Sequence, residues 1–154
     1  STENSLDMYP PQETTDSALN IIREEIDLAL SKGGEVLFMD QRQLLTFGYV
    51  PAIPLVPEYE KKLLMNQALS SDVNYFQGFY HDLEKHRFQL IISEPLRTPV
   101  KDDSFQFGEE NNAWVTWVSN PVLCYYEPIE TLKEVNVQLL VPRAEPVDCS
   151  DQLP

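Results

Sequence analysis

Four ionisable residues stand where short apolar runs end. Asp40 and Arg42 follow Val36-Leu37-Phe38-Met39, Glu94 follows Phe88-Gln89-Leu90-Ile91-Ile92, and Glu127 follows Val122-Leu123-Cys124-Tyr125-Tyr126. If those runs are neighbouring strands, their ends share one rim, where carboxylates would suit metal binding or general acid and base work. The sharpest enzyme reading takes Asp40, Arg42, Glu58 and Glu94 as the site. An ion pair of Arg42 with Asp40 or Glu94 is the simpler outcome in a chain holding 25 Asp and Glu, because position in a fold carries no chemistry by itself.

Other chemistries lack their parts. His81 and His86 are five apart, a spacing that separates them on a helix and makes them poor joint metal ligands. Both are expected at the surface, with His86 near a helix C-terminus, where positive charge is tolerated. Gly33-Gly34 comes before the first apolar run, whereas a dinucleotide site carries its glycines after it, and Phe107-Gly108-Glu109-Glu110 would repel phosphate. There is no G-x-S-x-G elbow, and Cys124 has no assignable base. Trp114, Trp117, Tyr125 and Tyr126 could form a sugar platform, but their helix and strand spacing reads as core. Cys124 and Cys149 lack C-x-x-C spacing and neighbouring histidines, which argues against zinc. The plain expectation is one buried and one exposed thiol; in an oxidising compartment a bridge between them would tie the C-terminal tail down. No cofactor is expected.

The elements that would position these residues follow from periodicity. Ser1 to Gln12 is polar with a Pro10-Pro11 step and reads as an extended linker, so residues 1–13 precede the domain. From Thr14, Ala18, Leu19, Ile22, Ile26, Ala29 and Leu30 recur at helical spacing until Gly33-Gly34. Glu35 to Asp40 is the first core strand. Gln41 to Val50 fits either a short helix or an extended segment. Pro51, Pro54 and Pro57 then impose an irregular loop, with Pro57 in the first turn of the next helix and Leu63, Leu64, Ala68 and Leu69 as its buried stripe. Ser70 or Ser71 is the expected cap of a second helix carrying Val73, Phe76, Phe79, Tyr80 and Leu83. Phe88 to Ile92 is a second strand, placed for a parallel crossover pairing. Glu109 to Val118 is helical and stops at Asn120-Pro121, Val122 to Tyr126 is a third strand, and Val135, Val137, Leu139 and Val141 alternate as its antiparallel partner. Residues 144–154 read as a flexible tail.

This order implies an α/β fold over residues 14–143: a three-layer Rossmann-like sandwich with a small, mostly parallel sheet and an antiparallel C-terminal hairpin. The 154 residues suit one domain. With 11 Lys and Arg against 25 Asp and Glu, the net charge of −14 argues against nucleic acid as a partner. No run reaches the roughly 18 apolar residues that span a bilayer.

The segments Gly33 to Phe47, Pro54 to Lys61, Phe88 to Glu94 and Cys124-Tyr125-Tyr126-Glu127 resemble the C-terminal soluble domain of polytopic bacterial membrane proteins of cyanobacterial type. Those proteins are themselves similar to multi-span glycosyltransferases that use lipid-linked sugars. The resemblance runs from the first helix to about Arg143. It implies that the catalytic acid belongs to a membrane-region loop of a parent polypeptide, so no active-site residue carries over to this chain. The chain would then be a non-catalytic accessory or binding domain, with the membrane portion of its parent and a glycan or protein acceptor as partners. The opening without Met and the Pro10-Pro11 step fit a piece of a longer chain. The shortage of Lys and Arg in Ser1 to Lys32 favours the extracytoplasmic face. The alternatives are a freestanding small α/β enzyme using the acidic site above, and an acidic protein-interaction domain.

Overall fold

The computed structural model describes residues 12–102 and 104–154. Residues 1–11 of the expected linker lie outside them, and its last two residues, Gln12 and Glu13, already belong to helix α1 (Gln12–Ser31). Gly33 ends this helix in a left-handed turn (φ 73°), which lets the Gly34 N–H reach back to the Ala29 carbonyl at 3.2 Å.

Strand β1 (Glu35–Phe38) follows, then a one-turn helix α2 (Gln43–Thr46) and an irregular stretch to Val56. Pro57 opens only a 3₁₀ turn (Pro57–Tyr59). Helix α3 starts later than expected, at Lys61 (Lys61–Leu69), because Glu60 is extended and the Lys61 N–H is taken by the Met39 carbonyl at 2.8 Å. Helix α4 (Val73–Glu84) is capped by Asp72, whose side chain accepts from the Tyr75 N–H, and not by Ser70 or Ser71. Strand β2 (Phe88–Ser93) comes next.

The third strand is corrected. Helix α5 (Gly108–Trp114) continues through a wider π turn (Val115–Ser119) into helix α6 (Asn120–Tyr125), so Val122 to Tyr125 is helical. Within the π turn the Asn120 N–H bonds five residues back, to Val115, which moves the register before Pro121 is reached. A proline that normally ends a helix therefore falls in the first turn of α6, where a missing N–H is tolerated. Strand β3 begins only at Tyr126 (Tyr126–Leu132), and β4 (Val137–Pro142) returns antiparallel to it.

The result is a mixed α/β fold on a four-stranded sheet of order β1-β2-β4-β3. Only β1 and β2 pair in parallel; β4 runs antiparallel to both β2 and β3, so the sheet is not mostly parallel. Side chains alternate between two cores. Val36, Phe38, Leu90, Ile92 and Leu139 pack with Ala18, Ile22 and Ile26 of α1. Leu37, Met39, Ile91 and Leu140 pack with Leu64, Phe76, Phe79 and Val118 from the later helices. Ile22 and Ile26 are fully buried, and burial of each contributes about 1.5–3 kcal/mol.

The last segment is held at Cys149. Its sulfur is bonded to Cys124 and the residue is 2% exposed, so the expectation of two separate thiols is overturned and the tail 144–154 is anchored to the end of α6.

Candidate functional site

The carboxyl ends of the parallel pair β1 and β2 bring two of the expected residues together. Lys61, at the start of α3, reaches between them: its ammonium lies 3.1 Å from Glu94 Oε2 and 3.2 Å from Asp40 Oδ2. The other Asp40 oxygen accepts the Gln41 N–H at 2.7 Å. Burial pulls the Lys61 ammonium down, but Glu94 and Asp40 outweigh it and leave its pKa raised, so the amine stays charged and is no nucleophile.

Arg42 does not join that pair. Its Nη1 sits 2.8 Å from Glu60, while Nε and Nη2 are buried with no hydrogen-bond partner among the described residues. Neither of the expected partners, Asp40 or Glu94, holds it. The preceding Gln41 is buried in a left-handed turn (φ 67°) and donates to the Asn136 carbonyl at 2.8 Å, tying this rim to the turn before β4.

Glu58 and Glu127 are elsewhere. Glu58 points to Arg87 at 3.5 Å, at the amino end of β2, where Arg87 also pairs with Glu35 at 3.0 Å and Asp82 at 2.9 Å. Tyr59 Oη donates to the same Asp82 carboxylate at 2.6 Å. Burial, and then that hydrogen bond, push the Tyr59 hydroxyl up, so it remains a donor at any ordinary pH. Glu127 opens β3, opposite Val141, and pairs with Arg143 at 3.4 Å. Its expected place at a strand end depended on a strand that is in fact α6. The four-residue enzyme site therefore divides between two ends of the sheet, and the rim expected to include Glu127 lacks it.

His81 is exposed on α4, and His86 is half-buried in a left-handed turn (φ 56°) with its ring 6.0 Å from that of Tyr126. Trp114, Tyr125 and Tyr126 are buried and Trp117 lies against Phe76, so these aromatics are core and present no platform. Among the described residues, no group of three or more His, Cys, Asp or Glu is placed to hold a metal ion.

Beside Lys61 the rim opens into a cleft of about 370 Å³ whose wall includes Arg97, Lys101 and Phe107. Sequence reading missed it, assigning no role to Lys61, Arg97 or Lys101. The contact between Lys61 and Glu94 spans 33 positions and leaves no local signal. No family model, curated protein or solved structure matches the chain.

Proposed function

We propose that this chain is a non-catalytic extramembrane domain of a larger membrane-bound glycosyltransferase-like protein, packing near the membrane portion of its parent and binding a glycan or protein acceptor. The observation that carries this reading is the state of the rim. Asp40 and Glu94 are both committed to one lysine, and Glu58 is committed to Arg87 at the far end. One oxygen of each carboxylate is turned toward a cation of the protein itself, which favours a role in holding loops over one in proton transfer.

The Cys124–Cys149 bridge supports the extracytoplasmic side, because disulfides persist in oxidising compartments. Helix α1 against one sheet face and α3 to α6 against the other support the reading of the fold as a reduced three-layer Rossmann-like sandwich. Among the described residues no helix is long and apolar enough to cross a membrane, so the reading requires that the anchor be supplied by other parts of the parent. The acidic coat would keep such a domain off anionic headgroups.

Fractionation of cells producing the native polypeptide tests this. The protein is expected to stay in the membrane pellet through carbonate and high-salt washes and to leave only with detergent. Recovery in the soluble fraction overturns the reading. A freestanding enzyme would instead show a turnover lost in Asp40→Asn and Glu94→Gln with the fold intact, and an acidic interaction domain would show salt-sensitive capture of basic partners.

A further inference from the structure

We propose that the cleft beside Lys61 is a binding site for a small organic oxyanion, a phosphate or carboxylate head on an apolar body. The inference goes beyond the membrane-domain reading and stands whether or not that reading holds.

The cleft is richer in bases than the chain as a whole, even with the two carboxylates that hold Lys61 counted. Three bases, Lys61, Arg97 and Lys101, and one acid, Glu110, line it, in a sequence with 11 bases to 25 acids. Lys61 is already held by Asp40 and Glu94, so the charge available to a ligand is that of Arg97 and Lys101. Among the described residues neither makes an ion pair, although carboxylates outnumber bases by more than two to one. Both side chains belong to exposed residues, where an incoming anion can reach them.

The loop that carries them is fixed from several sides. The Leu96 N–H donates to Gln138 on β4 at 2.9 Å. Asn111, buried in α5, donates to the Pro99 carbonyl at 2.9 Å. Asn112 grips Lys101 through both main-chain groups, accepting from its N–H at 2.8 Å and donating to its carbonyl at 2.6 Å. Gly108 packs so closely on this loop that a Cβ there would lie 2.9 Å from the Asp102 carbonyl oxygen. A guanidinium and an ammonium held on a tethered loop lose less freedom on binding than two surface side chains on a loose one.

The apolar part of the ligand follows from Phe107 and Met65, which share the wall with the two cations. Phe107 is 65% exposed and sits in the left-handed region (φ 59°), a conformation that is costly for an aromatic residue. Its exposed ring lines the same cleft as the two cations. The cleft also lies at the carboxyl ends of the parallel strands, the edge at which open α/β sheets take ligands.

Titration of the isotopically labelled chain with phenyl phosphate and with benzoate, at constant ionic strength and followed by backbone amide shifts, tests the site. Saturable shifts are expected over residues 96–102 and 107–111 with at least one probe, and the tighter of the two identifies the head group. Arg97→Ala and Lys101→Ala should each weaken binding about tenfold, whereas Lys133→Ala, outside the cleft, should leave it unchanged. Non-saturating shifts with both probes, or binding that survives the Arg97→Ala/Lys101→Ala double variant, would overturn the proposal. Inorganic phosphate binding as tightly as phenyl phosphate would overturn the part given to Phe107.

Discussion

Tyr80 Oη donates a 2.7 Å hydrogen bond to the main-chain carbonyl of Trp117, the group that Pro121, four residues on, has no N–H to satisfy. The same tyrosine is buried and packs against Phe76, so one side chain of α4 both fills the core and completes the hydrogen bonding of the π turn. This contact allows an unbroken helical path from Gly108 to Tyr125.

Tyr80→Phe keeps the ring and removes the donor. It is expected to lower the unfolding free energy by about 1–3 kcal/mol, the range for leaving a buried polar group unpaired. Pro121→Ala restores an N–H for the same carbonyl, so the loss from Tyr80→Phe should shrink in that background. Urea unfolding of the four proteins gives the coupling; strictly additive effects would show that the two residues do not share the carbonyl.

The Cys124–Cys149 bridge closes a loop with a sequence separation of 25, and Cys149 belongs to the core beneath the later helices. By loop-closure entropy its removal should cost about 3 kcal/mol. Reduced wild type is expected to show this loss in denaturant unfolding and Cys149→Ser a somewhat larger one, since it also buries a hydroxyl in the core, with faster amide exchange confined first to residues 144–154. Equal stability of the oxidised and reduced forms would contradict this.

Gly34 approaches the side chain of Gln89 on β2 so closely that a Cβ there would fall 1.9 Å from Cγ and 2.7 Å from Cβ of that residue. Gly34→Ala must therefore push the α1–β1 turn away from the sheet, at a cost of about 1–3 kcal/mol. Gln89→Ala removes the nearer clash and should recover part of it, which thermal unfolding of the single and double variants would reveal.

Acid should loosen the amino-end cluster around Asp82. Burial alone would raise this carboxyl, but hydrogen bonds from Tyr59, Arg87 and Lys85 outweigh it and hold its pKa below the usual aspartate value. A carboxyl depressed by folding stabilises above its unfolded pKa, near 3.9, and that stability is lost as pH falls through the folded value. Stability measured by urea unfolding should decline below about pH 4 in the wild type. Asp82→Asn should be less stable at neutral pH and show a shallower decline; an identical acid slope in both proteins would remove Asp82 from the account.

The first half of the fold was legible because its elements follow local rules: the 3.6-residue stripe of α1, the apolar run Val36 to Met39 at β1 and the apolar run Leu90 to Ile92 in β2. The chain from Val122 to Tyr125 was not. Its apolar run after Pro121 has the composition of a strand, and the reason it is helical, a register change in the preceding turn stabilised from α4, lies outside any local window. That one error carried Glu127 to the wrong end of a strand. Asp40 and Glu94 were legible as neighbours because parallel strands align their ends. Lys61 between them, and the fixed loop presenting Arg97 and Lys101, depend on contacts between residues distant in sequence.

The proposed function makes this chain an oxidised, non-catalytic domain of a larger membrane-bound polypeptide. Its most direct test is recovery of the native protein from carbonate-washed membranes after thiol trapping with a mass-tagged maleimide. A membrane-retained chain longer than these 154 residues is expected, with Cys124 and Cys149 untagged until a reductant is added. A soluble chain of this length with both cysteines tagged at once would contradict it.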